Sequence, residues 1–171
     1  MKSSFCSLLV SILTFSSLSL AQAPASKPIS YDPVNLSESV ARIDIKDDKA
    51  IIKAAGVPVN RTTSSTDDKG EPKKIHVFGT GSLTLQIELS RTQIIIGWIA
   101  ANDTDEALTK GIKNVKIAQR LARSLLGIDG GRLVDRVMTG YTLRGDTLIE
   151  GYRVSSASCA GGSVCLIKIH R

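Results

Sequence analysis

The sequence predicts an α+β domain: one main amphipathic helix packed on a largely antiparallel sheet, with a short N-terminal hairpin. Three observations lead there. Residues 82–90 (SLTLQIELS) alternate Leu83, Leu85, Ile87 and Leu89 with Ser82, Thr84, Gln86 and Glu88, the period of a strand with one wet face. Residues 104–126 gather Ala107, Leu108, Ile112, Val115, Ala118, Leu121, Ala122, Leu125 and Leu126 on one side of a helical wheel, with cations on the other. Further β-rich runs follow the helix, so the order is strands, helix, strands, with no internal repeat.

The chain begins as a secretory signal, residues 1–21. A single positive charge in Met1-Lys-Ser-Ser precedes an apolar, serine-bearing stretch from Phe5 to Leu20 that ends in small residues. Cleavage is expected near Ala21 or Ala23, and the location is periplasmic or secreted. Cys6 lies ahead of most of the apolar core, so a lipid anchor is not expected. No later segment approaches the ~20 apolar residues a membrane helix needs.

Residues 22–39 hold three of the five prolines among serines and read as a flexible tether. Residues 40–171 then form a single domain, large enough for a core. In residues 41–55, Ile43 and Ile45 at period two, the Asp47-Asp48 pair and Ile51-Ile52 predict the hairpin. Residues 57–72, with RTTSSTDDKGEP free of apolar side chains, predict a mobile loop. Residues 94–101 are apolar throughout and predict a central strand covered on both faces, with Trp98 in the core.

Asn102-Asp-Thr-Asp-Glu supplies capping and acidic residues for the start of the helix. Gly127 and the Gly130-Gly131 pair are expected to stop it. Three strand-like runs follow, at residues 133–143, 147–156 and 164–170. Gly145-Asp146 is the expected turn between the first two, with Tyr141 and Tyr152 pairing across it.

Removal of the signal leaves two cysteines, Cys159 and Cys165, in a chain bound for an oxidising compartment. Metal and dithiol centres use CxxC spacings or companion His and Cys residues, and the only histidines are His76 and His170. A structural disulfide across a Gly-Gly tip is therefore expected, with no metal or cofactor.

No GxSxG, HExxH or P-loop spacing appears, and Gly79-Thr-Gly81-Ser82 lacks the lysine and following helix of a phosphate cradle. Glu88 and Glu150 read as separate solvent-face carboxylates. Three Asn-x-Ser/Thr triplets, at Asn35, Asn60 and Asn102, are acceptor sites only in a glycosylating host.

Charge is uneven: residues 24–109 carry 10 Lys and Arg against 12 Asp and Glu, and residues 110–171 carry 11 against 4. The helix supplies five of these cations, Lys110, Lys113, Lys116, Arg120 and Arg123. Such a row either is a solvated face or attracts an anionic partner, an envelope protein among them. Nucleic acid is not expected, because the few aromatics form no stacking series.

Residues 97–169, through KIAQRLARSLLG, LIEGYRV and VCLIKI, resemble in layout the small helix-and-sheet domain of bacterial envelope lipoproteins and flagellar H-ring N-terminal domains. The resemblance implies a non-catalytic envelope part that assembles with other proteins. The sequence thus points to an exported, non-enzymatic binding or assembly component. An inhibitor or immunity protein that blocks an enzyme is the alternative, and a small hydrolase the third reading.

Overall fold

The computed structural model describes residues 30–101, 103–161 and 163–171; the expected signal and the start of the tether lie outside them. The elements run α1 (Asp48–Ala54), β1 (Val59–Thr66), β2 (Pro72–Phe78), β3 (Leu85–Ser90), β4 (Gln93–Ile99), α2 (Asp105–Met138), β5 (Leu143–Ile149), β6 (Tyr152–Ala160) and β7 (Val164–His170). The seven strands form one sheet in the order β1-β2-β3-β4-β7-β6-β5, antiparallel throughout. One long helix packs on it, as the sequence predicts.

Strand alternation fixes which side chains meet the helix. Leu85, Ile87 and Leu89 lie opposite Trp98, Ile96 and Ile94, which in turn oppose Cys165, Ile167 and Ile169. These rows face the helix layer and are buried, as are Val115, Ala118, Leu121, Ala122 and Leu125 of α2. Burial of each large aliphatic side chain contributes about 1.5–3 kcal/mol. Thr104 starts α2 by accepting a hydrogen bond from the Ala107 N–H, with Asp105 and Glu106 in the first turn.

Several local expectations are corrected. The N-terminal hairpin is instead helix α1. Asp47 does not open a turn but caps the helix, its carboxylate accepting from the Ala50 N–H at 2.9 Å, and Ile51 and Ala55 then share one buried face. The polar run expected as a loop at residues 57–72 carries β1. An edge strand pairs on one side only and leaves seven of its eight side chains exposed, so Thr and Ser suffice.

Strand β4 is central, but helices cover one face of it; Ile95 and Ile99 point to the other and are half-buried. The run at residues 133–143 is largely helical. Gly127, at φ 69° and ψ −159°, breaks α2 where a stop is expected, and the chain then resumes as a helix to Met138. Gly130 and Gly131 do not end it: they sit where the second segment crosses the first, and a Cβ on Gly130 would lie 2.2 Å from the Ala122 carbonyl oxygen.

The β5–β6 turn is Glu150-Gly151, both with positive φ (51° and 81°). Gly145-Asp146 forms a bulge within β5. Tyr152 therefore pairs with Ile149 rather than Tyr141, and Tyr141 lies under the Arg136 guanidinium, 3.7 Å from the ring centre.

Candidate functional site

The five helix cations are not one free face. Lys110 pairs with Glu106 one turn earlier at 2.6 Å. Lys116 pairs with Asp32 at 3.0 Å. Arg123 is 6% exposed and donates to the Asn35 carbonyl at 2.8 Å and to the Glu38 carbonyl. Arg120 is exposed and lies over Gly56. Lys113 is exposed, and no acid pairs with it among the described residues.

The cause is the segment expected as a tether. From Tyr31 to Arg42 it runs along α2 as a strap. Asp135 accepts from the Val34 N–H at 2.9 Å and from Gln119 Nε2 at 2.7 Å, and Gln119 also donates to the Asp32 carbonyl. Arg42 donates to the Leu125 carbonyl, one of the carbonyls left open by the break at Gly127, and faces Glu150 at 3.7 Å. Burial first, then the Asp135 carboxylate, pushes the Tyr31 phenol up to about 12. A cleft of about 500 Å³ remains between strap and helix, where Lys116, Arg120 and Arg123 meet Asp32 and Glu38. Its charges largely offset each other.

A second cavity, about 290 Å³, opens further towards the start of α2. Val57, Phe78, Leu83 and Ile117 line it, with Lys110 and Lys113. Ile117 is the one apolar residue that falls beside the cations on the wheel, and it is 4% exposed here. The sequence shows the lysines but not the wall: Val57 lies in a connection with no periodic signal, and Leu83, which begins the alternating run expected as a strand, falls in the β2–β3 connection because β3 starts only at Leu85.

Cys159 and Cys165 are directly opposite in β6 and β7 and form a disulfide, with Cα atoms 3.9 Å apart. Cys165 Sγ also lies 3.9 Å from Met138 Sδ, which ties the hairpin to the end of α2. The two histidines lie on opposite faces of the sheet. His76 is buried on the helix side with Nδ1 3.0 Å from Thr62 Oγ1, and His170 is on the other side, 3.7 Å from Asp146. Burial pushes both imidazoles down, helped by Lys74 at His76 and by Arg153 at His170.

Glu88 is bonded to Lys73 at 2.5 Å on the outer face of β3, and Glu150 sits in the β5–β6 turn, with β4 and β7 between the two strand pairs. The structure thus separates the histidines and these carboxylates. Among the described residues there is no group of three or more His, Cys, Asp or Glu arranged to hold a metal ion. No helix among them is long and apolar enough to cross a membrane.

An acidic network that the sequence does not announce closes one end of the sheet. Asp67 accepts from the backbone of Lys69 and Glu71 and from the hydroxyls of Ser90 and Thr92, all at 2.8–2.9 Å. Burial pushes its carboxyl up, but these hydrogen bonds together outweigh it and bring the pKa to about 2. Arg171 completes the same end, donating to the carbonyls of Ile45 and Ser90 and to Asp48.

The sheet face away from the helices is mixed. Ile95, Ile99 and Leu166 are half-buried and Val164 is 53% exposed, around a groove of about 250 Å³ floored by Gly97. The ion pairs Lys73–Glu88 and Lys168–Asp68 flank them. No family model matches the chain, and no curated protein or solved structure matches it.

Proposed function

We propose that this protein is an exported, non-enzymatic binding or assembly component of the bacterial cell envelope, and that it docks a protein partner on the sheet face away from its helices. The observation that carries the reading is that face itself. A two-layer domain buries one side of its sheet under helices, and no described element covers the other side, where Ile95, Ile99, Val164 and Leu166 surround Gly97. An apolar centre with a polar rim is the common anatomy of protein interfaces, and here the ion pairs Lys73–Glu88 and Lys168–Asp68 border the patch beside Ile95. The signal-like N-terminus and the disulfide agree with an oxidising compartment. The resemblance in layout of residues 97–169 to envelope lipoproteins and flagellar H-ring domains, read from the sequence alone, would agree with an assembly role.

The test is site-specific photo-crosslinking in the native envelope. A crosslinker in place of Leu166 is expected to give a discrete protein adduct, and one in place of exposed Arg132 on α2 is expected to give none. Adducts of equal yield from both positions, or none from Leu166, would refute docking at this face.

A further inference from the structure

We propose that the cavity between the first half of α2 and the β2–β3 connection binds a small amphiphilic monoanion, a short acyl chain ending in a carboxylate. The proposal does not rest on docking at the outer sheet face; the cavity lies on the helix side. Its walls and its rim are of different chemistry. Val57, Phe78, Leu83 and Ile117 give a largely apolar interior, with Phe78 and Ile117 2% and 4% exposed, and the one buried polar side chain in it, Asn114, has its Nδ2 engaged with the Ile99 carbonyl. Among the described residues that line it, the charged ones are Lys110 and Lys113, and both are positive.

That arrangement selects against the other simple ligands. A neutral apolar molecule would leave the ammonium groups without a counter-charge. A small inorganic anion would leave the apolar wall wet. A molecule with both parts satisfies both, which is the usual construction of a ligand site: an apolar pocket with a few placed polar groups.

The charge count is set by the neighbours. Lys110 is already held by Glu106, whereas Lys113 has no acidic partner among the described residues. One uncommitted cation calls for one negative charge. At about 290 Å³ the cavity is at the lower end of ordinary ligand sites, which limits the apolar body to a short chain. The position of Ile117 follows from the same picture: an apolar residue beside a row of cations makes the boundary between wall and rim.

The experiment is an amide NMR titration of the exported chain, disulfide intact, with sodium octanoate below its aggregation concentration. Saturable shifts are expected at Val57, Gly79, Thr80 and Lys113. Acetate, which has the charge without the chain, and 1-octanol, which has the chain without the charge, are both expected to bind more weakly. Lys113→Gln is expected to weaken octanoate about fivefold, the scale of one exposed ion pair. Leu83→Asp, in the connection, is expected to abolish the shifts while amides of β4 and β7 keep their positions. Octanol binding as tightly as octanoate, an unchanged Kd in Lys113→Gln, or shifts centred on Ile99 and Leu166 instead would each overturn the proposal.

Discussion

Replacing Gly130 with alanine sets two effects of opposite sign against each other. Gly130 is in the second segment of α2, where helix propensity alone favours alanine by about 0.8–1 kcal/mol. The packing says otherwise. A Cβ at this position would lie 2.2 Å from the Ala122 carbonyl oxygen and 2.7 Å from the Leu126 Cβ. An ordinary carbon–oxygen contact needs roughly 1 Å more, so the two segments of α2 would have to move apart. The face that moves carries Leu133, Val134 and Val137, each at most 1% exposed. Loosening that contact belongs with overpacked cores, at about 1–3 kcal/mol and occasionally more.

Because the clash is with backbone, the packing cost belongs in the upper part of that range, about 2–3 kcal/mol, and the net expectation is destabilisation by about 1–2 kcal/mol. For a domain of this size that lowers Tm by roughly 2–8 °C, taking ~2–4 °C per kcal/mol. Thermal and urea unfolding of the two proteins, followed by circular dichroism, measure it. A Tm that rises or stays unchanged would mean that propensity wins, and the close crossing of the two segments would be refuted.

Two further outcomes follow from the polar contacts. The folded pKa of Asp67, about 2, lies below the value of 3.8 for a free side chain, so its contribution to stability is complete above pH 4 and is lost as pH falls towards 2. Asp67→Asn should therefore be less stable than the parent at neutral pH, with a gap that closes between pH 4 and pH 2 in acid unfolding; a constant gap would contradict the assignment. Arg123→Met keeps the apolar stem but removes both bonds to the strap. The net cost is on the order of 1–3 kcal/mol, since loss of charge-assisted bonds is partly offset by relief of a buried cation, and limited proteolysis should cut faster between Leu36 and Arg42. Unchanged cleavage there would show that the strap is held by other contacts.

The legible parts of the fold were those with a long, single period. The alternation through Leu85, Ile87 and Leu89 and the wheel from Ala107 to Leu126 each repeat often enough to name their own element, although the strand starts at Leu85 and leaves Leu83 in the connection before it. Short segments carried conflicting signals. Asp47-Asp48 is good chemistry both for a turn and for a helix cap, and the choice fell to Ile51 and Ala55, whose burial depends on the sheet beneath them. Residues 133–138 contain Leu, Val and Val, which suit a strand, yet close contact at Gly130 lets them return across the first segment as a helix. Strand β1 has no apolar face to read because an edge needs none.

The same distinction separates what was visible of the candidate site from what was not. A helical wheel places Lys110, Lys113, Lys116, Arg120 and Arg123 on one side and treats that side as solvent. It has no knowledge of a segment some ninety residues away in the chain that covers half of it. Docking of residues 31–42 changes the chemistry of the row. Arg123 becomes a buried tie to two carbonyls and Lys116 a partner of Asp32, so cations that would have reinforced one another over a common field are spent singly. Among the described residues Arg120 and Lys113 are the cations of the row without an acidic partner; Arg120 lies in the cleft beside the strap, whereas Lys113, beyond the strap's reach, is exposed and borders apolar side chains from the connections around β2. The selectivity proposed for an anion with an apolar body would thus depend on where the strap ends, which no local pattern in the helix sequence encodes.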